Sequence, residues 1–517
     1  MKLVIMLVFT RLAIVPSTVD IRPVTLPGEV ASLGIGSVKS DRNEFVLAGN
    51  NGAGNCTVAV LGRELQLLVI RSFPGGSCGL VEVDSSGDIM VTGFATTPGF
   101  LLTDGLGPLE GSGSQFLLKL SRASLDIQFS VRLRIGNTLA MAVAPDNTVW
   151  LGGFALQGLV TTPDAIQTSY PGLSIQGPRD RCGFLVRISS DGRRTLYSTY
   201  LGGLRDAVAA IRSDPAGNIY VAGSRIWKFS LAGALVWSTW VPPSSILGSA
   251  VGLNGDLYLV GTTGGEGFYV TPSAFQSSVF SGQSTYFVGA SIAYPSTVVD
   301  GFVMRLSSAG EIVYSTLMGG VGYDYLTEII VESDGSAFVR GYASGDLFPT
   351  YGAIAMRAAS GSVLAKLSPD GSSVAFSSYL LESSGPIAPH PDGGLLMFVN
   401  RVNPPGKPTA RRVTELPASL PRVDAVTRAA TPRFGLLAGF NAIVSGEGLS
   451  AVTAVTLGPE TVPIISQTDN SLEVRLPENL PFSDNRSYAG DLCLIVNDKP
   501  IRRVRILVGA LVVLPNP

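Results

Sequence analysis

The sequence predicts an all-β chain, in which small four-stranded sheets lean on one another in a repeating series and a second, smaller all-β unit follows. Three observations carry the prediction. A polar turn followed by a short apolar strand that stops at glycine recurs through most of the chain. Hairpins of β-branched and aromatic residues with period-two alternation lie between the recurrences. Glycine is abundant, 61 of 517 residues, and only 15% of residues are charged, which suits short buried strands joined by tight turns. No long helical pattern competes.

The best-formed unit is residues 182–224, CGFLVRISSDGRRTLYSTYLGGLRDAVAAIRSDPAGNIYVAGS. Its first strand, 184–188, alternates apolar residues with Arg187. Ser190, Asp191 and Gly192 then supply a side-chain acceptor and a residue free to take positive φ, so the chain reverses. Strand 196–201 stops at Gly202 and Gly203, strand 207–211 follows, and a second turn at 214–217 leads into strand 219–222. Read this way, one unit is one antiparallel sheet of four strands. Such a sheet cannot bury both faces alone, so copies must stack.

The strand-to-glycine ending falls at Gly49, Gly93, Gly153, Gly223, Gly261 and Gly341; a seventh copy, HPDGGLLMFV, reaches Val399 without the glycine. The spacing is unequal (Gly223 to Gly261 is 38 residues, Gly261 to Gly341 is 80), so insertions fall in loops while the sheet is kept. Partner hairpins begin at Phe116, Ile226, Phe302 and Val363, each with one Lys or Arg in an apolar strand and a Ser-rich turn. Seven copies predict a seven-bladed β-propeller over residues 32–402, each blade covering its neighbour's face.

The flanks are less regular. Residues 1–31 hold Lys2 and an apolar run broken by Arg11, which fits a short signal peptide as well as a first strand. No stretch reaches the roughly 18 apolar residues needed to cross a bilayer. Residues 403–431, starting NPPGKPTARR, read as a Pro- and Arg-rich linker or as the strand that closes the ring. Residues 432–517 alternate strand and turn, as a small β-sandwich does. The net charge of −2, with Arg and Lys scattered, speaks against a nucleic-acid partner. Cys56, Cys78, Cys182 and Cys493 are too few and dispersed for a zinc site. Cys56 and Cys78 flank one predicted hairpin, where a disulfide and two free buried thiols fit equally.

At three motifs the chain resembles a family. YSTYLGG at 197–203, LSPDG at 367–371 and TPSAFQ at 271–276 are similar to the units of the bacterial β-propeller repeat (SBBP) proteins common in acidobacteria, and the likeness covers roughly residues 32–400. It implies a secreted or envelope-associated propeller with no shared enzymatic activity. The Ser-Gly-x-Gly-Leu at 445–449 and Val-x-x-Pro at 474–477 resemble the immunoglobulin-like IPT/TIG modules.

Candidate chemistry is sparse. His390, the single histidine, stands in a Pro-His-Pro-Asp turn without a nucleophile motif, which favours a turn role and excludes three-histidine metal centres. The turns DSSGD, SSDG, ESDG, SPDG and HPDG each offer one or two carboxylates where calcium needs six or more oxygens, so they read as structural. The sharper candidates follow Leu-Gly-Gly and Met-Gly-Gly: Arg205 and Asp206 after Gly203, and Tyr323, Asp324 and Tyr325 after Gly320. An acid beside aromatics suits sugar hydroxyls or a cation; the competing reading has the Asp capping its turn and Tyr325 packed between blades. The uncharged insertion 277–299, with Tyr286, Phe287 and Tyr294, reads as a contact surface or a disordered loop. No cofactor is expected.

These residues predict an exported, non-catalytic binding or scaffolding protein that recognises a carbohydrate or protein ligand through propeller loops. A carbohydrate-active hydrolase or lyase, with carboxylates around the propeller axis, is the first alternative. A purely structural adhesion module is the second.

Overall fold

The computed structural model describes residues 19–509 except 98–99, 101–114, 156, 173–180, 243, 280–298, 321, 345–347, 350–360, 381–382, 402–408, 416–421, 429–435, 438, 440, 458–459, 481–486 and 497–498. Four-stranded antiparallel sheets succeed one another along it: I over 34–73, II over 76–133, III over 137–201, IV over 210–240, V over 245–318 and VI over 324–379. Within each, spatial order is chain order. Sheet VII is built from Ser383–Pro389, Leu395–Arg401 and Thr409–Glu415, with Val19–Thr25 as its fourth strand. The first strands of the sheets are Gly34–Asp41, Gly76–Val83, Asn137–Val143, Ala210–Ser213, Ser245–Val251, Asp324–Val331 and Ser383–Pro389. Each touches the next, and the last touches the first. A closed circuit of four-stranded sheets around a central channel is a β-propeller.

The sequence unit and the sheet are out of phase. Cys182–Ile188 and Thr195–Leu201 are the two outer strands of sheet III, whereas Ala210–Ser213 and Ile219–Ala222 are the two inner strands of sheet IV. Residues 182–224 are therefore not one sheet, as their pattern suggested, but the junction of two. The variable insertions sit between the second and third strands of a sheet and interrupt its sequence, while the short Leu-Gly-Gly crossing to the next sheet keeps two half-sheets contiguous. The domain edges shift as well. Propeller strands run from Val19 to Glu415, outside the expected 32–402. Residues 403–431 are not a plain linker: Thr409–Glu415 completes sheet VII, and Arg422–Arg428 pairs with Asn441–Glu447 in the second unit. Both flanks close the ring, because Val19–Thr25 lies antiparallel to Thr409–Glu415.

The recurrent glycine has a packing cause. In five of the sheets the innermost strand is bulged where it faces that glycine, at Gly36, Gly79, Leu139, Leu247 and Thr327. The bulge drives a carbonyl across the neighbouring strand. A Cβ on Gly153 would fall on the carbonyl oxygen of Asn137, and one on Gly261 on that of Ser245. In sheet VII the irregularity is wider, Ser384 and Ile387 being successive partners of Val399 and Met397, and there the side chain of Val399 replaces the glycine.

The basic residue in the third strand is also explained in four sheets, whereas Lys228 of sheet IV donates instead to the Ser308 carbonyl at 2.8 Å. Lys119 binds Asp84 at 2.7 Å, Arg187 binds Asp146 at 2.7 Å and Arg305 binds Asp256 at 2.7 Å; Lys366 pairs with Glu332. Each acid lies in the first hairpin turn of the same sheet, so the third strand is clasped to the turn between the first two. The same cations lie over aromatic rings, Arg187 over Trp150, Arg305 over Tyr258 and Lys366 over Phe338.

The TPxAxQ and YST motifs meet one another. Thr162 N–H donates to the Ser198 carbonyl and Tyr200 N–H to that of Gln167; in sheet V Thr271 and Leu317 repeat the pattern with Ser315 and Gln276. The insertion thereby covers the outer edge of its own sheet, whose free backbone groups would otherwise invite pairing with another chain.

Cys56, at the start of the third strand of sheet I, is joined to Cys78 on the first strand of sheet II, with Cα atoms 4.5 Å apart. The second unit stacks the sheet Arg422–Arg428, Asn441–Glu447, Ser471–Arg475 and Ile464–Gln467 on one containing Lys499–Gly509, Ser487–Val496 and Ala454–Leu457. Val444, Leu472 and Val474 of the first meet Val455, Leu457, Leu492 and Leu494 of the second in one buried core. Among the described residues no helix is long and apolar enough to cross a membrane.

Candidate functional site

Antiparallel order assigns every connection to one of two faces. The short polar turns, between first and second and between third and fourth strands, share one face. The crossings between sheets and the long insertions between second and third strands share the other. Arg205 and Asp206, Tyr323 to Tyr325, and the described ends of the insertion 277–299 belong to this second, loop face. Tyr286, Phe287 and Tyr294 lie outside the described residues.

Asp206 works within its turn. Its Oδ2 accepts the Gly203 N–H at 2.6 Å. Arg205 has φ of +73° and its N–H meets the Arg181 carbonyl at 2.6 Å, which leaves the side chain outward and exposed. Beside this turn the Cys182 thiol is buried, and burial pushes its pKa up to about 11, so it stays protonated.

Asp324 opens the innermost strand of sheet VI and is buried. It accepts the N–H groups of Gly320 at 2.5 Å and Ser344 at 3.1 Å, tying the crossing to the start of the next insertion. Burial raises its carboxyl to about 6, against the pull of those two N–H donors. Its neighbours form a row: Tyr323 meets Tyr325 edge-on with ring centroids 5.8 Å apart, and Tyr325 stacks on Tyr342 at 5.6 Å. Tyr323, at 49% exposure, is the outermost ring. The structure thus gathers Tyr323, Asp324 and Tyr325 and adds Tyr342; Arg205 and Asp206 occupy the equivalent crossing two sheets earlier.

The central channel is a cavity of about 260 Å³ lined from the innermost strands alone. Its polar lining includes Ser37, Thr327, Glu82, Glu328 and Arg212; Leu139 and Leu247, both more than 40% exposed, supply apolar wall. Glu82 binds Lys39 at 2.6 Å. Glu328 accepts from Arg340 Nε at 2.8 Å and from the Ile387 N–H at 3.0 Å. Arg212 donates from Nε to the Ser249 carbonyl at 2.9 Å and from Nη1 to that of Ile211 at 2.8 Å. Sequence reading passed over these residues, although a charge inside an apolar innermost strand (AIRSD, LVEVD, LTEII) was a usable signal. Which way those side chains turn depends on the bulge, and that follows from the sheet.

The turn face uses its polar groups internally. Asp84 accepts the N–H groups of Ser86 and Asp88, both at 2.9 Å, and Asp214 that of Asn218 at 2.7 Å. His390 Nδ1 accepts the Asp392 N–H at 3.1 Å, and the ring lies 5.5 Å from Phe45 of sheet I. Burial first, then Arg412 and Arg63, lower its pKa to about 4. An unfolded histidine titrates near 6.5. The neutral ring therefore contributes stability in full above about pH 6.5, and this is lost as the pH falls towards 4. Asp324 acts in the opposite sense, its contribution being complete below about 4 and lost as the pH rises through 6. Urea midpoints between pH 4 and 7 are expected to fall less on acidification in His390→Asn than in the parent, and more in Asp324→Asn. Unchanged slopes in both variants would contradict these assignments.

No family model matches the chain, and no curated protein matches it. Among solved structures it is similar to a protein of unknown function from Bacteroides caccae, at 12% identity over 65% of this chain and 93% of that one, TM-score 0.33. BamB from Moraxella catarrhalis matches at 10% identity over 74% and 83%, TM-score 0.33. The Dos1 propeller matches at 8% over 88% and 95%, TM-score 0.43. At such values the fold rests on the sheets and their closed circuit.

Proposed function

We propose that the chain is a seven-bladed β-propeller carrying an immunoglobulin-like sandwich, exported to the cell surface or beyond, where it recognises a ligand without transforming it. The observation that carries the reading is the tyrosine row 323, 325 and 342 on the loop face, where the chain crosses from sheet to sheet. Aromatic rings supply contact area at low entropic cost, and an exposed ring at the end of a stacked row suits the apolar face of a sugar. The disulfide between Cys56 and Cys78 supports an oxidising compartment. The channel carboxylates Glu82 and Glu328 are each held by a cation, which favours recognition over acid–base hydrolysis.

The test is a glycan array probed with the full chain and with Tyr323→Ala. Glycans retained by the parent should bind at least about ten-fold more weakly to the variant, with an unchanged melting temperature and no release of reducing ends. Failure to retain any glycan, or equal retention by the variant, would sink the carbohydrate reading.

A further inference from the structure

Arg212 is the one channel charge without a counter-ion. Among the described residues Glu82 has Lys39 and Glu328 has Arg340, but no carboxylate lies within ion-pair distance of Arg212. Lys39 and Arg340, which stand behind the lining, neutralise its two acids, so Arg212 remains its uncompensated charge. The guanidinium is held by two backbone carbonyls, one from its own strand and one from the adjacent sheet V, which fixes Nε and Nη1 and leaves Nη2 without an acceptor among the described residues. A guanidinium is always protonated and carries its donors in a planar fork matched to oxyanions. The neighbouring sheets on either side contribute Leu139 and Leu247, 41% and 44% exposed, at equivalent bulged positions. Both bulges re-aim an apolar side chain at the cavity instead of burying it.

We propose that the central channel binds a small organic carboxylate, its anionic head on Arg212 and its short aliphatic body between Leu139 and Leu247. The volume, about 260 Å³, lies just under the usual range for small-ligand pockets and suits an acid of a few carbons. A single unpaired guanidinium flanked by two exposed leucines, in an otherwise polar channel, matches one negative charge on a short apolar body better than a doubly charged phosphate. This site is separate from the tyrosine row and does not rest on the glycan reading.

The test titrates the full chain calorimetrically with hexanoate, hexanol and inorganic phosphate. Hexanoate should bind with a Kd of about a millimolar or tighter, and hexanol and phosphate at least about ten-fold more weakly. Arg212→Gln should weaken hexanoate by about ten-fold or more. Leu139→Glu, a change at an exposed position that spares the fold, should do the same by placing a like charge at the wall. Tyr323→Ala should leave hexanoate binding unaltered. The proposal is overturned by absence of hexanoate binding at about 10 mM, by phosphate binding as well as hexanoate, or by Leu139→Glu binding hexanoate like the parent.

Discussion

Replacing Gly153 or Gly261 with alanine is expected to destabilise the propeller by about 2–4 kcal/mol at each position, with a shifted denaturant midpoint and a native-like m-value in whatever folds. The added methyl would sit on a backbone carbonyl oxygen, that of Asn137 or Ser245, and not against a side chain that can swing away. Those carbonyls are positioned by bulges in the innermost strands, so relief would require undoing the irregularity that shapes the channel. Gly203→Ala is the matched control. A Cβ there meets nothing closer than Asp206 Oδ2 at 3.8 Å, so its cost should stay within about 0.5 kcal/mol. Equal midpoints for Gly153→Ala and Gly203→Ala would show that the recurrent glycine has another cause.

Removing residues 1–26 should open the ring. The deletion takes away the outer strand Val19–Thr25 and every antiparallel pairing it makes with Thr409–Glu415. It also removes Ile21 and Val24, which pack against the cores between sheets VI and VII and between VII and I. Leu26, which is buried, goes with these two half-buried side chains, and the burial lost contributes about 3 kcal/mol, before the exposed edge is considered. That edge, Thr409–Glu415, would then present unpaired backbone to other molecules. Size-exclusion chromatography should show self-association, and thermal unfolding should broaden and fall in midpoint. A deletion variant that remains monomeric with the parent's transition would rule out ring closure by this strand.

Much of this architecture was legible in residues. The strand-to-glycine ending marked a real strand in six sheets, because a close backbone approach leaves glycine no substitute, although its place as second strand was not legible. The basic residue in an apolar strand and the acid in the preceding turn were each visible, as at Arg187 and Asp146, but their pairing was not. They lie 41 positions apart and meet only when the third strand folds back over the first hairpin. Asp206 and Asp324 illustrate the same limit. Both appear as an acid after a glycine pair, yet one is half-exposed in its turn and the other is buried at the start of an innermost strand.

By itself the sequence determined the strands, the turns and the recurrence, since these depend on neighbours a few positions away: alternation, a Gly free to turn, a side-chain acceptor in a bend. Only the tertiary structure decided where one sheet ends and the next begins, which strand closes the ring, and which side chains face the axis. Those outcomes depend on bulge register and on contacts between residues as distant as Val19 and Glu415, where the energy comes from burial between sheets and not from local preference.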